Sequence, residues 1–505
     1  RSDSFWPIAL YGRDQLRQRM TFALSEILVI SDQDAGVRRA YRGTADYWDM
    51  LARNAFGSYS ETLEQVTRHP IMGTYLSHLS NQKADPESGY YPDENYAREV
   101  MQLFTFGLVQ RRQNGSIILG ENNLPIQTYD NSVIKDMARV FTGLSFSHIA
   151  NSSGEKVANN NFFRGNNAND YQFRWIEPMK FFADYHDYEA KVLFSDNGNR
   201  LTIASGDPSD PSSADSELTG LMNNLVAHSS TAPTIALKLI QRFVTSNPSP
   251  EYIERVANAF GTEGDLNATI KAILLDAEAR NPAVASSLTF GKIKEPILKF
   301  SALLRLLQAG SSIPLGSSND DAINGLNYSQ ADQFDDGATL LRAGTPALGQ
   351  RALAAPSVFN FFSPDFSPSG ALSRNALVSP ELQLTTESQL FDSFNSLFLL
   401  LDDRFYRDNA FVKFNTNFSL EQLIIRLDFS RLDNIWNSTQ GSDSDRATAV
   451  VDHLDFYLNA GQLAAAGNNV TREAMISNIA AVSDEYRYGL AVYAAGNTAE
   501  FQLQK

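Results

Sequence analysis

Two clusters of polar residues have the types and spacing that chemistry requires. The first lies in PDENYAREVMQLFTFG (residues 92–107), where Glu94, Asn95, Arg98 and Glu99 crowd one short stretch. Carboxylates of this kind exchange protons or bind cations, and a guanidinium clamps anionic groups. The second is HDYEAK, with His186, Asp187 and Lys191. A carboxylate beside a histidine can orient the imidazole for general acid–base work. Glu94, Arg98, Glu99, His186, Asp187 and Lys191 are therefore the candidate catalytic residues. A triad would also need a nucleophile, and no Gly-x-Ser-x-Gly elbow occurs. The competing reading of HDYEAK is a histidine satisfied inside the structure.

The elements that must position these residues are helical. Placed on a helix with Glu94 at zero, Arg98 falls near ~40° and Glu99 near ~140°, while Tyr96, Ala97, Val100, Met101, Leu103 and Phe104 fill the arc from roughly 180° to 340°. Glu94 and Glu99 thus diverge by about 140°, so a partner carboxylate would have to come from another element. By geometry alone this is an amphipathic helix with a solvated polar face, Pro92 in its first turn, Gly107 as its stop, and Glu94–Arg98 as an i,i+4 pair. Helical spacing also marks 13–30, 43–69 with a break at Gly57 and Ser58, 131–144 with Asn131 as cap, and four segments between 232 and 309. AKVLFSDNGNRLTIA reads as a β-hairpin. The fold class expected is mainly α: a large multi-helix, bundle-like body with one or two small β-hairpins and long irregular loops. It is read as one domain over 1–505, or as two lobes, 1–310 with an insertion at 145–230, and 311–505.

Composition narrows the function. The 505 residues carry a formal charge of -16, against the basic footprint that nucleic-acid binding needs. There is no cysteine, which removes disulfides, thiolate metal sites and thiol nucleophiles and suits an oxidising compartment. No apolar run approaches a membrane span. The six histidines are dispersed, His69 and His78 being the closest pair, so no local zinc motif exists. DPESG (85–89) and DNGN (196–199) carry oxygens suited to a hard ion but are ordinary turn sequences. No Walker loop or Gly-x-Gly-x-x-Gly after a strand is present, so no nucleotide cofactor is expected. The start at Arg1, without Met, fits removal of a leader or upstream segment and an exported, extracytoplasmic protein.

PDENYAREVMQLFTFGL followed by VIKDMARVFTGL resembles the signature of a bacterial family, domain of unknown function 1800. LRQRMTFALSEILVIS, HDYEAKVLF, TAPTIALKLIQRFVTSNPSPEYIERVANAF, GKIKEPILKFSALLR, LGQRALAAPSVFNFFSPDFSPSG and LVSPELQL follow the same pattern along nearly the whole chain. The resemblance implies the fold and export, with an alkaline-phosphatase-like exported protein as a frequent genetic neighbour, but it does not indicate which activity the chain has. One departure matters: many members carry His-Asn-His where this chain has Ser25, Glu26 and Ile27, so that histidine pair is gone. The resemblance also favours an interior polar network over a solvated face. The density of the cluster, two acids, an amide and a guanidinium in one arc, points the same way: Arg98 is expected to be at least half buried, donating to carboxylates or backbone carbonyls of a neighbouring helix such as 131–144.

The same motifs add binding candidates: Asn95, Arg139, Gln350, and the aromatic run Phe359, Asn360, Phe361 and Phe362. The last could form a rigid aromatic surface for a carbohydrate or peptide ligand, or a buried plug in the helical core. The acidic tract 317–337 lies upstream. Two functions follow: a binding or assembly protein working with another exported protein or as a homo-oligomer, and a metal-independent acid–base enzyme acting on an extracellular polymer or peptide.

Overall fold

Apolar residues at helical spacing, punctuated by Gly, Pro and Ser, fold as helices. The computed structural model describes residues 5–163, 173–194, 200–210, 212–308, 348–401, 427–465 and 469–505. Among them are 22 α-helices and four two-stranded antiparallel sheets, so the chain is mainly α. His148–Ala150 with Lys156–Ala158 and Lys191–Leu193 with Leu201–Ile203 are hairpins, the second as the sequence predicts. The DNGN turn and the acidic tract fall outside the described residues. In DPESG, Asp85 accepts the Glu87 N–H and the Ser88 hydroxyl, a self-contained turn. Among the described residues no helix is long and apolar enough to cross a membrane.

Local chemistry sets the helix ends. Ser58 accepts the Glu61 N–H and starts Tyr59–Arg68 just past Gly57. Ser249 caps Pro250–Phe260, whose proline occupies a position with no N–H to satisfy. Two starts differ from expectation. Asp93 accepts the Asn95 N–H at 2.8 Å, so the helix begins at Asn95 and runs Asn95–Gln102, leaving Pro92 outside. Asp130, not Asn131, caps Asn131–Val140, accepting from Ser132 and Val133.

The chain forms two compact units. The larger comprises Asp14–Gly291 and Ala352–Val378. Its core gathers Met20, Leu24, Tyr47, Leu63, Tyr96, Val100, Met137, Leu221, Leu239, Val256 and Ile270 from helices along its whole length. Buried tyrosines in it are satisfied: Tyr47 donates to Leu28 O, Tyr59 to Phe104 O and Tyr252 to Ile273 O. Between Asn95–Gln102 and Asn131–Val140 an arm over 108–128 joins short extended pieces through Gln110, Ile118 and Ile126. It leaves Leu108, Leu119 and Leu124 exposed. The smaller unit comprises Arg1–Arg13, Lys292–Arg351 and Ser379–Gln504. In it Lys292–Ile293 pairs with Leu503–Gln504, and Arg487 stacks 3.7 Å over the ring of Trp436.

Candidate functional site

VIKDMARVFTGL and HDYEAKVLF prove to be two halves of one network. Asp136 and Arg139 sit one turn apart on Asn131–Val140. Arg139 grips Asp187 with a fork, Nε to Oδ2 at 2.7 Å and Nη2 to Oδ1 at 3.0 Å, while Nη1 donates to Asp136 Oδ1 at 2.9 Å. The other Asp136 oxygen accepts the Val192 N–H at 2.9 Å, tying the helix to the hairpin. Hydrogen bonding to Asp187, ahead of the opposing burial, raises the Arg139 pKa. Burial alone would raise Asp187, but Arg139 and the Glu189 N–H outweigh it and hold this carboxyl below its ordinary value.

His186 and Lys191 occupy the sealed end. His186 is fully buried, its ring edge-on to Phe181 and Tyr188. Its Nδ1 lies 2.8 Å from Thr142 O, which can only accept, so Nδ1 carries a proton. Nε2 faces Glu217 Oε2 at 3.6 Å. Lys191, also fully buried, donates to the carbonyls of Asp187 and Glu189 at 2.6 and 3.1 Å and lies 2.8 Å from Glu217 Oε1. Gly143 permits this approach: its φ is +83°, and a Cβ there would meet the His186 backbone N at 2.9 Å. Glu217 was not singled out from sequence. It falls on Ser213–Ala227 in the apolar stripe of Ala214, Leu218, Leu221 and Leu225, and a carboxylate in such a stripe is the signal that could have found it.

The first cluster divides. Arg98 does not reach Asn131–Val140: its side chain, 45% exposed, pairs with Glu94 of its own helix at 2.7 Å, i,i+4. The expected donation to a neighbouring helix fails because Arg98 lies within the polar arc. Asn95 is exposed. Glu99, on the border of the apolar arc, is only 8% exposed, and its Oε2 has no hydrogen-bond partner among the described residues. Burial raises its pKa against the pull of Arg98. No hydrogen bond or ion pair among the described residues joins this cluster to His186.

The remaining candidates separate between the units. In the larger, Phe362 is buried beneath the Arg242 guanidinium at 4.2 Å, and Arg242 lies 3.3 Å from Glu26. Asn360 is buried with φ +67°, Phe361 is half-buried, and Phe359 is exposed. Phe362 thus takes the plug position, turned inward over the buried cation, while Phe359 stays on the surface. In the smaller unit, Gln350 is fully buried and donates to Glu295 Oε2 at 2.6 Å. Lys292 lies 2.9 Å from Glu381 and 3.8 Å from Glu295. Thus GKIKEP, LGQRALAAPS and LVSPELQL converge on a second buried network, whose acids and lysine sequence reasoning missed. Among the described residues no three His, Asp or Glu side chains are grouped to hold a metal ion.

A family model described as "Protein of unknown function (DUF1800)" matches residues 2–503. No curated protein and no solved structure matches the chain.

Proposed function

The chain belongs to the DUF1800 family, and from that premise we propose that it is an exported binding or assembly protein, working with another exported protein or as a homo-oligomer. The observation carrying this reading is the closure of the His186 network. The imidazole has one nitrogen on a carbonyl and the other 3.6 Å from Glu217, beyond hydrogen-bond reach, and Lys191 is ringed by oxygens. Groups sealed at 0% exposure do not meet a substrate. The absence of cysteine and the acidic balance support an extracytoplasmic setting.

The test is crosslinking in intact source cells followed by isolation of the tagged full chain, with sedimentation of the pure protein alongside. A stoichiometric exported partner, or a stable oligomer, is expected. A monomer without any partner that hydrolyses an extracellular polymer or peptide would overturn the proposal. The second reading, an acid–base enzyme, is favoured by one observation: the raised pKa of Glu99, as a general acid requires.

A further inference from the structure

Lys292, Glu295 and Glu381 bring an amine and two carboxyls together in the interior of the smaller unit. All three are buried, Glu295 and Glu381 completely. Lys292 opens the strand Lys292–Ile293, which is paired to Leu503–Gln504. Glu295 stands just before Pro296 with φ -61° and ψ 141°, and Glu381 follows Pro380 in the short turn Pro380–Leu384. Proline fixes its own φ and pushes the residue before it to extended backbone, so both acids leave the chain from stiffened positions.

The distances are those of groups able to react. Lys292 Nζ lies 2.9 Å from Glu381 Oε1, yet neither Glu381 oxygen has a hydrogen-bond partner among the described residues. The contact is close without being a hydrogen bond. Glu295 Oε1 lies 3.8 Å from the same nitrogen, and Gln350 holds the other oxygen of Glu295 at 2.6 Å. Lys191, by comparison, is ion-paired to a single carboxylate among the described residues, Glu217. Away from water a charged pair keeps its desolvation penalty, and a proton passed from Nζ to the carboxylate removes it by leaving an amine and a carboxylic acid. Two reactants fixed this close meet at an effective concentration far above any reached in solution.

We propose that Lys292 and Glu381 condense to an amide inside the folded chain, with Glu295 carrying a proton. The Nζ lone pair forms the bond to Glu381 Cδ and the bond from Cδ to its hydroxyl breaks. A further Nζ proton passes through Glu295 to that hydroxyl, which leaves as water. For this transfer Glu295 Oε1 must approach Nζ by roughly 0.6 Å, to hydrogen-bond distance. No oxidant, cofactor or second reactant is consumed. Burial favours the product, because excluded water neither solvates the ion pair nor returns to cleave the amide. The link joins positions 89 residues apart (381−292) in a chain without cysteine, and constrains the unfolded state as a disulfide does. It does not rest on the binding or assembly reading.

The experiment is mass spectrometry of the purified, denatured full chain, intact and after trypsin. The expected intact mass is one water below that of the sequence, with no cleavage at Lys292 and a branched peptide joining the Lys292 and Glu381 segments. Lys292→Arg keeps the cation and removes the nucleophile, so it should show its full sequence mass. Glu295→Gln keeps both reacting groups and should lower the linked fraction of freshly made chain about tenfold or more. Circular dichroism verifies the fold of each variant. The full sequence mass in the unaltered chain, a water loss that maps elsewhere, or a water loss that persists in Lys292→Arg overturns the proposal. Equal linkage in Glu295→Gln overturns the role given to Glu295. Because the readout is a covalent bond within one chain, its failure leaves the binding or assembly reading standing, and failure to recover a partner leaves the amide standing.

Discussion

Replacing Lys191 by methionine tests whether the sealed network holds the hairpin to the helical body. The substitution keeps the length of the side chain and removes only the charge and its donors. It leaves the Glu217 carboxylate, 5% exposed, facing His186 alone, and strips the carbonyls of Asp187 and Glu189 of a donor. Breaking a buried pair from one side costs about 3–5 kcal/mol. The His186 ring remains beside Glu217, so the lower end, ~3 kcal/mol, is expected. At about 1.4 kcal/mol per factor of ten, that is roughly a hundredfold in the folding equilibrium. Removing both partners together, Lys191→Met with Glu217→Leu, leaves no orphaned charge and should cost under ~1.5 kcal/mol. The assay is urea unfolding at pH 7 followed by far-UV circular dichroism, with amide exchange at Val192 and Leu193 locating the effect. A single-variant cost below ~1 kcal/mol, or additivity within about 0.5 kcal/mol across the pair, would refute the reasoning.

Arg98→Ala should change stability by less than ~0.5 kcal/mol in the same assay, because an exposed i,i+4 pair contributes only a few tenths; a cost above ~2 kcal/mol would mean that Arg98 has partners beyond Glu94. Gly143→Ala should cost at least ~1 kcal/mol, since alanine is strained at φ +83° and its Cβ meets the His186 backbone. Burial lowers His78 and His228 from 6.5 to about 4, so the unfolded chain takes up protons first as pH falls. Stability is full above pH ~6.5 and is lost progressively down to pH ~4, by up to ~1.4 kcal/mol per unit per histidine. His78→Gln should shallow that slope in urea midpoints measured between pH 7 and 4, and an unchanged slope would show that His78 does not contribute.

What the sequence made legible depended on whether the deciding physics was local. Gly57, Pro250 and the 191–203 hairpin act within a few residues, and the elements formed where their chemistry placed them. The helical wheel put Arg98 and Glu99 on one polar face, yet Arg98 is exposed and Glu99, which borders the apolar arc, is buried. The density of polar residues argued for burial of the whole cluster, but density along the chain does not move a side chain around a helix. Alternation along the hairpin carried similar information, since Lys191 must share the face of Leu193, and both are fully buried while Val192 is exposed. Choice of partner was not legible. Glu217 lies 26 residues beyond Lys191, and Glu381 lies 89 beyond Lys292 (217−191 and 381−292), so each is fixed by tertiary packing. An acid in an apolar stripe announces that it needs a cation without saying which one.

Such pairs have a consequence for register. Lys191 and Lys292 each open a short strand, and each meets a buried glutamate. Buried ion pairs rarely stabilise a fold more than apolar residues of the same shape, but they discriminate between arrangements. A one-residue slip of Lys191–Leu193 would turn Val192 inward and leave Glu217 and His186 without the ammonium. The correct register is then separated from its neighbours by the cost of an unpaired buried carboxylate, a gap that a Met–Leu replacement would close. Groups committed to that task must keep fixed protonation states, because a proton gained or lost at Glu217 or Lys191 abolishes the discrimination. Catalysis asks the opposite of an acid or base. Of the carboxylates first singled out, Glu94 is held by Arg98 and Asp187 by Arg139, and Glu99 alone retains a buried oxygen with no partner among the described residues.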